Sequence, residues 1–251
     1  MPRLDIPGDV RRVFDVIKDG GVAIWPNDVG YGMIGGTTQA LKKIFDTKKR
    51  GSHKRNALIG DAITQREVHR LDQRSQDIIE TITIDYNLPL GVIAPCNTDH
   101  PLLRKVDPEL LEASTANGTI AMLLNAGLVY NELTRLSREE VQPLFGSSAN
   151  LSGTGQRFRA DDLQPEIRNA ADIVLDYGLR KYHHYGRSVT IIRFPEVEVV
   201  RIGTCYELIV DAVRREYGIE LPADPGRDVL PSGHLKEFEL AKNADSSTSG
   251  H

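Results

Sequence analysis

Apolar residues at Val10, Val13, Phe14 and Ile17 recur at helical spacing within residues 8–19, and Gly20-Gly21 closes the segment, so an amphipathic helix is expected there. The run Val22-Ala23-Ile24-Trp25 is too short for a helix and stops at Pro26, the pattern of a buried strand. Asn27-Asp28 turns the chain. Gly30, Gly32, Gly35 and Gly36 then crowd into seven positions, which predicts an open glycine turn. Thr37 and Thr38 are candidate caps for a second helix carrying Leu41, Ile44 and Phe45.

Further on, residues 57–60 read as a short strand and 64–82 as helix. Residues 87–95 read as a strand entered through Pro89, and 101–117 have helical spacing that Pro108 interrupts. Residues 119–124 form an apolar run expected as a fully buried strand, and 129–136 suggest a helix. Residues 172–176 read as a strand, 189–194 and 197–202 as two alternating strands, and 206–218 as an amphipathic helix. Strands and helices interleave without a regular βαβ period, which places the chain in the α/β (α+β) class with a mixed sheet. Residues 1–221 are expected as one domain. From 222 to 251 the composition turns to Pro, Gly, Asp and Ser, as in a flexible tail.

Composition narrows the function classes. With 251 residues, 40% hydrophobic and 26% charged, the chain can bury a large core as a soluble globular protein. The net charge of −4 argues against generic nucleic-acid binding, so any RNA contact has to be a local basic patch. Cys96 and Cys205 have no disulfide or zinc spacing, and no run approaches the ~20 apolar residues of a membrane span. A cytoplasmic protein without a membrane partner or a metal site is expected.

Against that acidic balance, Lys48, Lys49, Arg50, Lys54 and Arg55 put five cations into eight positions. They read either as a lysine-rich helix end complementing the macrodipole or as a site for a phosphate-bearing ligand. Ser147, Ser148 and Asn150, after a short apolar entry, can orient phosphate or carbonyl oxygens, or can form a serine-rich turn at a strand end. Tyr31 reads equally as a core tyrosine and a ligand contact, whereas Trp25 reads as core and His53 as a solvated loop residue. Tyr182-His183-His184-Tyr185 is a polar aromatic loop with no carboxylate at metal-supporting spacing.

Taken in order, these stretches resemble the YrdC/YciO family, which includes threonylcarbamoyl-adenylate synthase of the tRNA t6A pathway. The resemblance runs from about residue 8 to residue 213. The family's Pro-Thr-Asp-Thr-x-Tyr-Gly-Leu motif is matched by Pro26, Asn27, Asp28, Val29, Gly30, Tyr31, Gly32 and Met33. Its Lys-x-Arg and the following lysine match Lys48, Arg50 and Lys54, with Arg55 in place of a proline. Its Ser-x-Asn matches Ser148 and Asn150, with Ser147 in the preceding hydroxyl position. Val189, Thr190, Ile191 and Ile192 resemble its Ser-Thr-Val-Val strand, and Arg201 and Gly203 its Arg-x-Gly.

The resemblance implies a twisted mixed sheet flanked by helices around a basic concave cleft. It also implies use of ATP, with Mg²⁺, together with bicarbonate and L-threonine or another amine. Lys48, Arg50, Lys54, Ser147, Ser148, Asn150 and Arg201 would then face the nucleotide and its phosphates. Lys48, Arg50, Ser148 and Asn150 would carry the chemistry, and Asn27, Val29, Tyr31 and Thr190 would line the substrate pocket.

The departures concentrate on the amino-acid side of that pattern. Asn27 and Val29 replace both motif threonines, and Leu123 and Asn125 stand where the family has Arg and Pro in Val-Arg-x-Pro. Gly91 and Val189 replace a threonine and a serine. A site that loses its hydrogen-bonding groups usually rejects the substrate it was built for. Three functions follow: a synthase with a remodelled pocket, a carbamoyl-adenylate enzyme for another amine, or a silent relative that binds nucleotide or double-stranded RNA.

Overall fold

The computed structural model describes residues 4–49 and 55–235. Helix α1 (Ile6–Lys18) starts on Asp5, whose carboxylate accepts the Gly8 amide, and buries Val10, Val13, Phe14 and Ile17 as its periodicity predicts. Strand β1 (Ala23–Asn27) pairs antiparallel with β2 (Gly30–Gly35), with Trp25 opposite Gly32. The expected glycine turn is therefore a strand. A Cβ at Gly32 would lie 2.9 Å from Trp25 Nε1, so the glycine admits the indole rather than cradling an anion.

Helix α2 (Thr38–Lys48) is capped by Thr37 and leads to β3 (Ala57–Ile59). The single helix expected over 64–82 is two, α3 (Ala62–Val68) and α4 (Gln73–Glu80). They part at His69, which leaves the helix to bridge Cys96. The chain continues through β4 (Leu90–Pro95), α5 (Pro101–Arg104) and α6 (Pro108–Ser114), the last two separated at the expected proline. Then come β5 (Thr115–Ala116), β6 (Thr119–Leu124), α7 (Leu128–Glu139) and β7 (Phe145–Ser148). Strand β6 alternates buried and half-buried residues instead of being buried throughout. The last elements are α8 (Pro165–Asn169), β8 (Ile173–Val174), β9 (Ile191–Arg193), β10 (Glu198–Arg201) and α9 (Tyr206–Tyr217).

All the strands join one mixed sheet in the order β10-β9-β4-β6-β3-β7-β2-β1-β8, with β5 paired to β6. Side chains alternate across a strand, so the sheet feeds two cores. Trp25, Ile34 and Ile59 pack with Phe14 of α1 and with Tyr130 and Leu133 of α7. Ile24, Met33, Leu58 and Phe145 pack on the other face with Leu41 and Ile44 of α2 and Ile209 of α9. Residues 222–235, expected within a flexible tail, lie against this domain: Asp224 pairs with Arg187 at 2.7 Å, Leu230 is buried, and the Gly233 carbonyl accepts the Ile202 amide. Among the described residues no helix is long and apolar enough to cross a membrane.

One buried group ties stability to pH. His69 Nε2 lies 3.2 Å from the Ile120 carbonyl, so that nitrogen carries the proton, while Nδ1 is buried without a partner. Burial pushes the imidazole pKa down to about 4. Unfolded, the ring protonates near ~6.5, so between these values the unfolded chain holds the extra proton. The stabilisation from keeping His69 neutral is complete above the higher value and falls by about 3 kcal/mol as pH drops to the lower one. Urea unfolding of wild type and His69→Gln between about pH 7 and pH 5 checks this: the wild-type decline should flatten in the variant, and an equal decline in both would assign it elsewhere.

Candidate functional site

Leu41 and Ile44 bury one side of α2 against the sheet, and Lys48, one turn beyond Ile44, follows them inward to 3% exposure. The Lys48 ammonium donates to the Asn150 carbonyl at 2.7 Å and to the Ser148 carbonyl, while its own carbonyl accepts the Ser152 amide at 3.1 Å. The end of α2 and the turn after β7 are thus clasped at three points. A buried ammonium facing carbonyl dipoles has exchanged hydration for fixed dipoles.

That turn presents polar atoms the chain leaves unmatched. Asn150 donates Nδ2 to the Leu151 carbonyl at 2.7 Å, and its Oδ1 is buried without a partner, as is the Ser147 hydroxyl oxygen. Lys48, Ser147, Ser148 and Asn150, grouped by the sequence, are therefore together in space. Arg50, Lys54 and His53 lie outside the described residues. Arg201 sits on edge strand β10, far from β7 in the sheet order, with Nε donating to the Val189 carbonyl at 2.9 Å.

The residues expected to line the substrate pocket are buried and bonded within the chain. Thr190 donates to the Thr204 carbonyl at 3.0 Å and accepts the Gly203 amide at 3.1 Å. Asn27 Oδ1 accepts the Val29 amide, and Val29 is 3% exposed. The Tyr31 hydroxyl shares its proton between Asp176 Oδ1 at 2.7 Å and the Gly178 carbonyl at 2.9 Å, and accepts the Tyr177 amide. Burial, reinforced by Asp176, pushes this phenol up to about 12.

A later segment is laid over this group. Gln156 Nε2 donates to the Tyr31 carbonyl, Arg180 Nε to the Asn27 carbonyl, and the Tyr182 amide to the Asp28 carbonyl. Burial raises the Asp28 pKa, opposed by Lys181 and Arg180, which approach the carboxylate at 3.8 and 3.6 Å. Sequence reasoning missed Gln156, Asp176 and Arg180, and it read residues 172–176 as a strand of which only Ile173–Val174 pairs. The adjacent cations Arg180 and Lys181 were the available signal. A cavity of about 350 Å³ elsewhere is walled by Asp77, Glu80 and Asp85, the wrong sign for a phosphate.

A family model described as Sua5/YciO/YrdC, telomere recombination, matches residues 15–203. No curated protein sequence matches. Among solved structures, P. abyssi Sua5 complexed with L-threonine superposes with a TM-score of 0.67 at 18% identity, over 88% of this chain and 61% of that one. The hypothetical protein smu.1377c from Streptococcus mutans UA159 superposes with a TM-score of 0.67 at 17% identity, over 84% and 93% of the two chains. E. coli YciO gives 0.61 at 15% identity, over 81% and 91%. The chain spans about three fifths of the length of the P. abyssi Sua5 structures it matches. The motif order, the mixed sheet and the family model over most of its length agree: the chain belongs to the Sua5/YciO/YrdC family.

Proposed function

We propose that the chain joins ATP, bicarbonate and an amine into a carbamoyl-adenylate, the reaction type of L-threonylcarbamoyl-adenylate synthase in cytoplasmic tRNA t6A modification. The observation that carries this reading is the turn after β7, where Ser147 Oγ and Asn150 Oδ1 are buried without partners beside the Lys48 clasp. Buried polar atoms are costly unless matched, and a nucleotide would match them. The family and the likeness to Sua5 solved with L-threonine support the same reading.

In the reaction, the amine attacks bicarbonate and water leaves, giving a carbamate. A carbamate oxygen then attacks the α-phosphorus and pyrophosphate departs. No protein nucleophile is required; positioning and cations supply the rate. Lys48 shapes the turn, Ser147, Ser148 and Asn150 hold the phosphate, and Arg50 and Lys54, which follow α2 in the sequence, offset its charge; Arg201, five strands away in the sheet order, takes no part in this reading. The uncharged oxygens of Ser147 and Asn150 suit Mg²⁺ that stays on the triphosphate.

A second reading, nucleotide or double-stranded RNA binding without turnover, is favoured by one observation: Asn27, Val29, Tyr31 and Thr190 are all buried. Pyrophosphate release from ATP and bicarbonate, with L-threonine or a panel of other amines, separates the two. Release with threonine is expected for a remodelled synthase, and release with a different amine alone would name a new acceptor. Silence with every amine, while ATP still binds, would end the synthase reading. RNA affinity falling steeply with salt would then favour the second.

A further inference from the structure

His69 and Cys96 have no role in the reading above, yet the backbone sets them face to face across 27 positions of sequence. His69 leaves α3 to form an antiparallel bridge with Cys96. The Asn97 amide donates to the Val68 carbonyl at 2.7 Å on one side of the pair, and the Arg70 amide to the Pro95 carbonyl at 2.8 Å on the other. Because these bonds flank the pair and do not join it, this is the close type of antiparallel pairing, with the two Cβ atoms about 5 Å apart on one face. Both residues are buried, at 3% and 8% exposure. The imidazole gives its Nε2 proton to the Ile120 carbonyl at 3.2 Å, so Nδ1 carries a bare lone pair, and it is buried with no partner. The thiol does not fill that place: it donates to the Gly118 carbonyl at 3.5 Å.

We propose that His69 Nδ1 and the Cys96 thiolate form a two-coordinate site for a soft monovalent cation, copper(I). An imidazole whose other nitrogen donates to a backbone carbonyl is held in the tautomer and orientation of a metal ligand. Thiolate sulfur favours soft cations, and imidazole accepts copper. Bonds of about 2.3 Å to sulfur and about 2.0 Å to nitrogen put the ligand atoms about 4 Å apart across a linear centre. Opposed Cβ atoms about 5 Å apart, with Sγ one bond out and Nδ1 two, span that distance. Coordination number and charge both select copper(I) over zinc. Zinc takes four ligands, and the described residues hold no metal-binding group of three or more His, Cys, Asp or Glu. A thiolate, a neutral imidazole and a monovalent cation sum to zero, whereas a divalent cation would leave a net charge buried at high cost. Binding breaks the S–H bond, forms S–Cu and N–Cu bonds and releases the thiol proton to solvent. The imidazole keeps its Nε2 proton on Ile120.

The metal-free full chain and its Cys96→Ser and His69→Gln variants are titrated anaerobically with copper(I) in competition with bicinchoninate, and separately with zinc. Both replacements are close in size, and glutamine keeps a donor for the Ile120 carbonyl; urea unfolding of each metal-free variant checks its fold. Wild type is expected to bind a single copper(I) with release of a single proton, and copper should raise its urea midpoint. Either variant should lose more affinity than the roughly hundredfold that loss of a mere supporting partner costs a metal site. Cys205→Ser, which removes the other buried thiol, should lose none. Copper affinity surviving in Cys96→Ser or His69→Gln, an unchanged urea midpoint, or zinc bound as tightly as copper would overturn the site. X-ray absorption of copper-loaded wild type decides without any variant: one sulfur and one nitrogen neighbour are expected, and two sulfurs, or nitrogen and oxygen alone, would overturn it.

Discussion

Replacing Lys48 with methionine is expected to cost about 3 kcal/mol of stability and, on the nucleotide reading, to raise the dissociation constant for ATP more than a hundredfold. The side chain is about the same length, so the apolar stem still packs beside Ile44. What disappears is the ammonium, and with it the donor shared by the carbonyls of Ser148 and Asn150. The Asn150 carbonyl, left bare, costs about 1–3 kcal/mol, and the Ser148 carbonyl, which keeps the Asn150 amide at 3.0 Å, loses its charged donor, less what relaxation of the turn recovers. Because those carbonyls belong to the same turn as Ser147 Oγ and Asn150 Oδ1, stability and affinity should fall together. Urea unfolding and calorimetric titration with ATP read the two quantities. A variant with the wild-type urea midpoint would show that the turn holds its shape without the clasp.

Gly203→Ala is expected to destabilise the protein by more than about 3 kcal/mol, lowering the melting temperature by about 10 °C. A Cβ there would sit 2.2 Å from the Ser188 carbonyl oxygen, 2.5 Å from the Val189 carbonyl carbon and 2.6 Å from the Thr190 amide nitrogen. All three are backbone atoms of one segment, so no rotamer change relieves the overlap; the segments have to separate. Separation breaks the Gly203 amide bond to Thr190 Oγ1 and strains the Thr190 bond to Thr204. Calorimetry checks the shift, and an unchanged melting temperature would mean the segments part freely. The Arg-x-Gly resemblance matched this glycine without giving it a role; its contacts give it a packing reason.

Local signals were legible and crossings between distant segments were not. The periodicity of Val10, Val13, Phe14 and Ile17 gave α1 because helical spacing is written in neighbouring residues. Pro108 divided α5 from α6 for the same reason. The glycines from Gly30 to Gly35 were misread because their causes lie on other segments: Gly32 admits Trp25 of the opposite strand, Gly30 lies against Gln156 and Gly35 against Ala40, and nothing in the glycine run itself announces these neighbours. Lys48, Ser147, Ser148 and Asn150 came together as the motif order suggested. Thr190 and Tyr31 were legible as polar residues in apolar strands, but their partners Thr204, Asp176 and Gly178 lie far along the chain or in loops without pattern.

The β1–β2 hairpin also sets the order in which this chain can be assembled during synthesis. On one side β1 waits for β8 and for the Asp172 carboxylate, which receives the Val22 amide from 150 positions away; on the other, β2 waits for β7. At about 5–20 residues per second, the apolar hairpin leaves the ribosome on the order of ten seconds before the strands that will flank it. Bare strand edges of that kind recruit other chains. The interval between synthesis of the hairpin and synthesis of β7 and β8 is therefore one of exposure to aggregation, and α1, made before the hairpin and packed on Trp25 and Ile34, is the early cover for one of its faces.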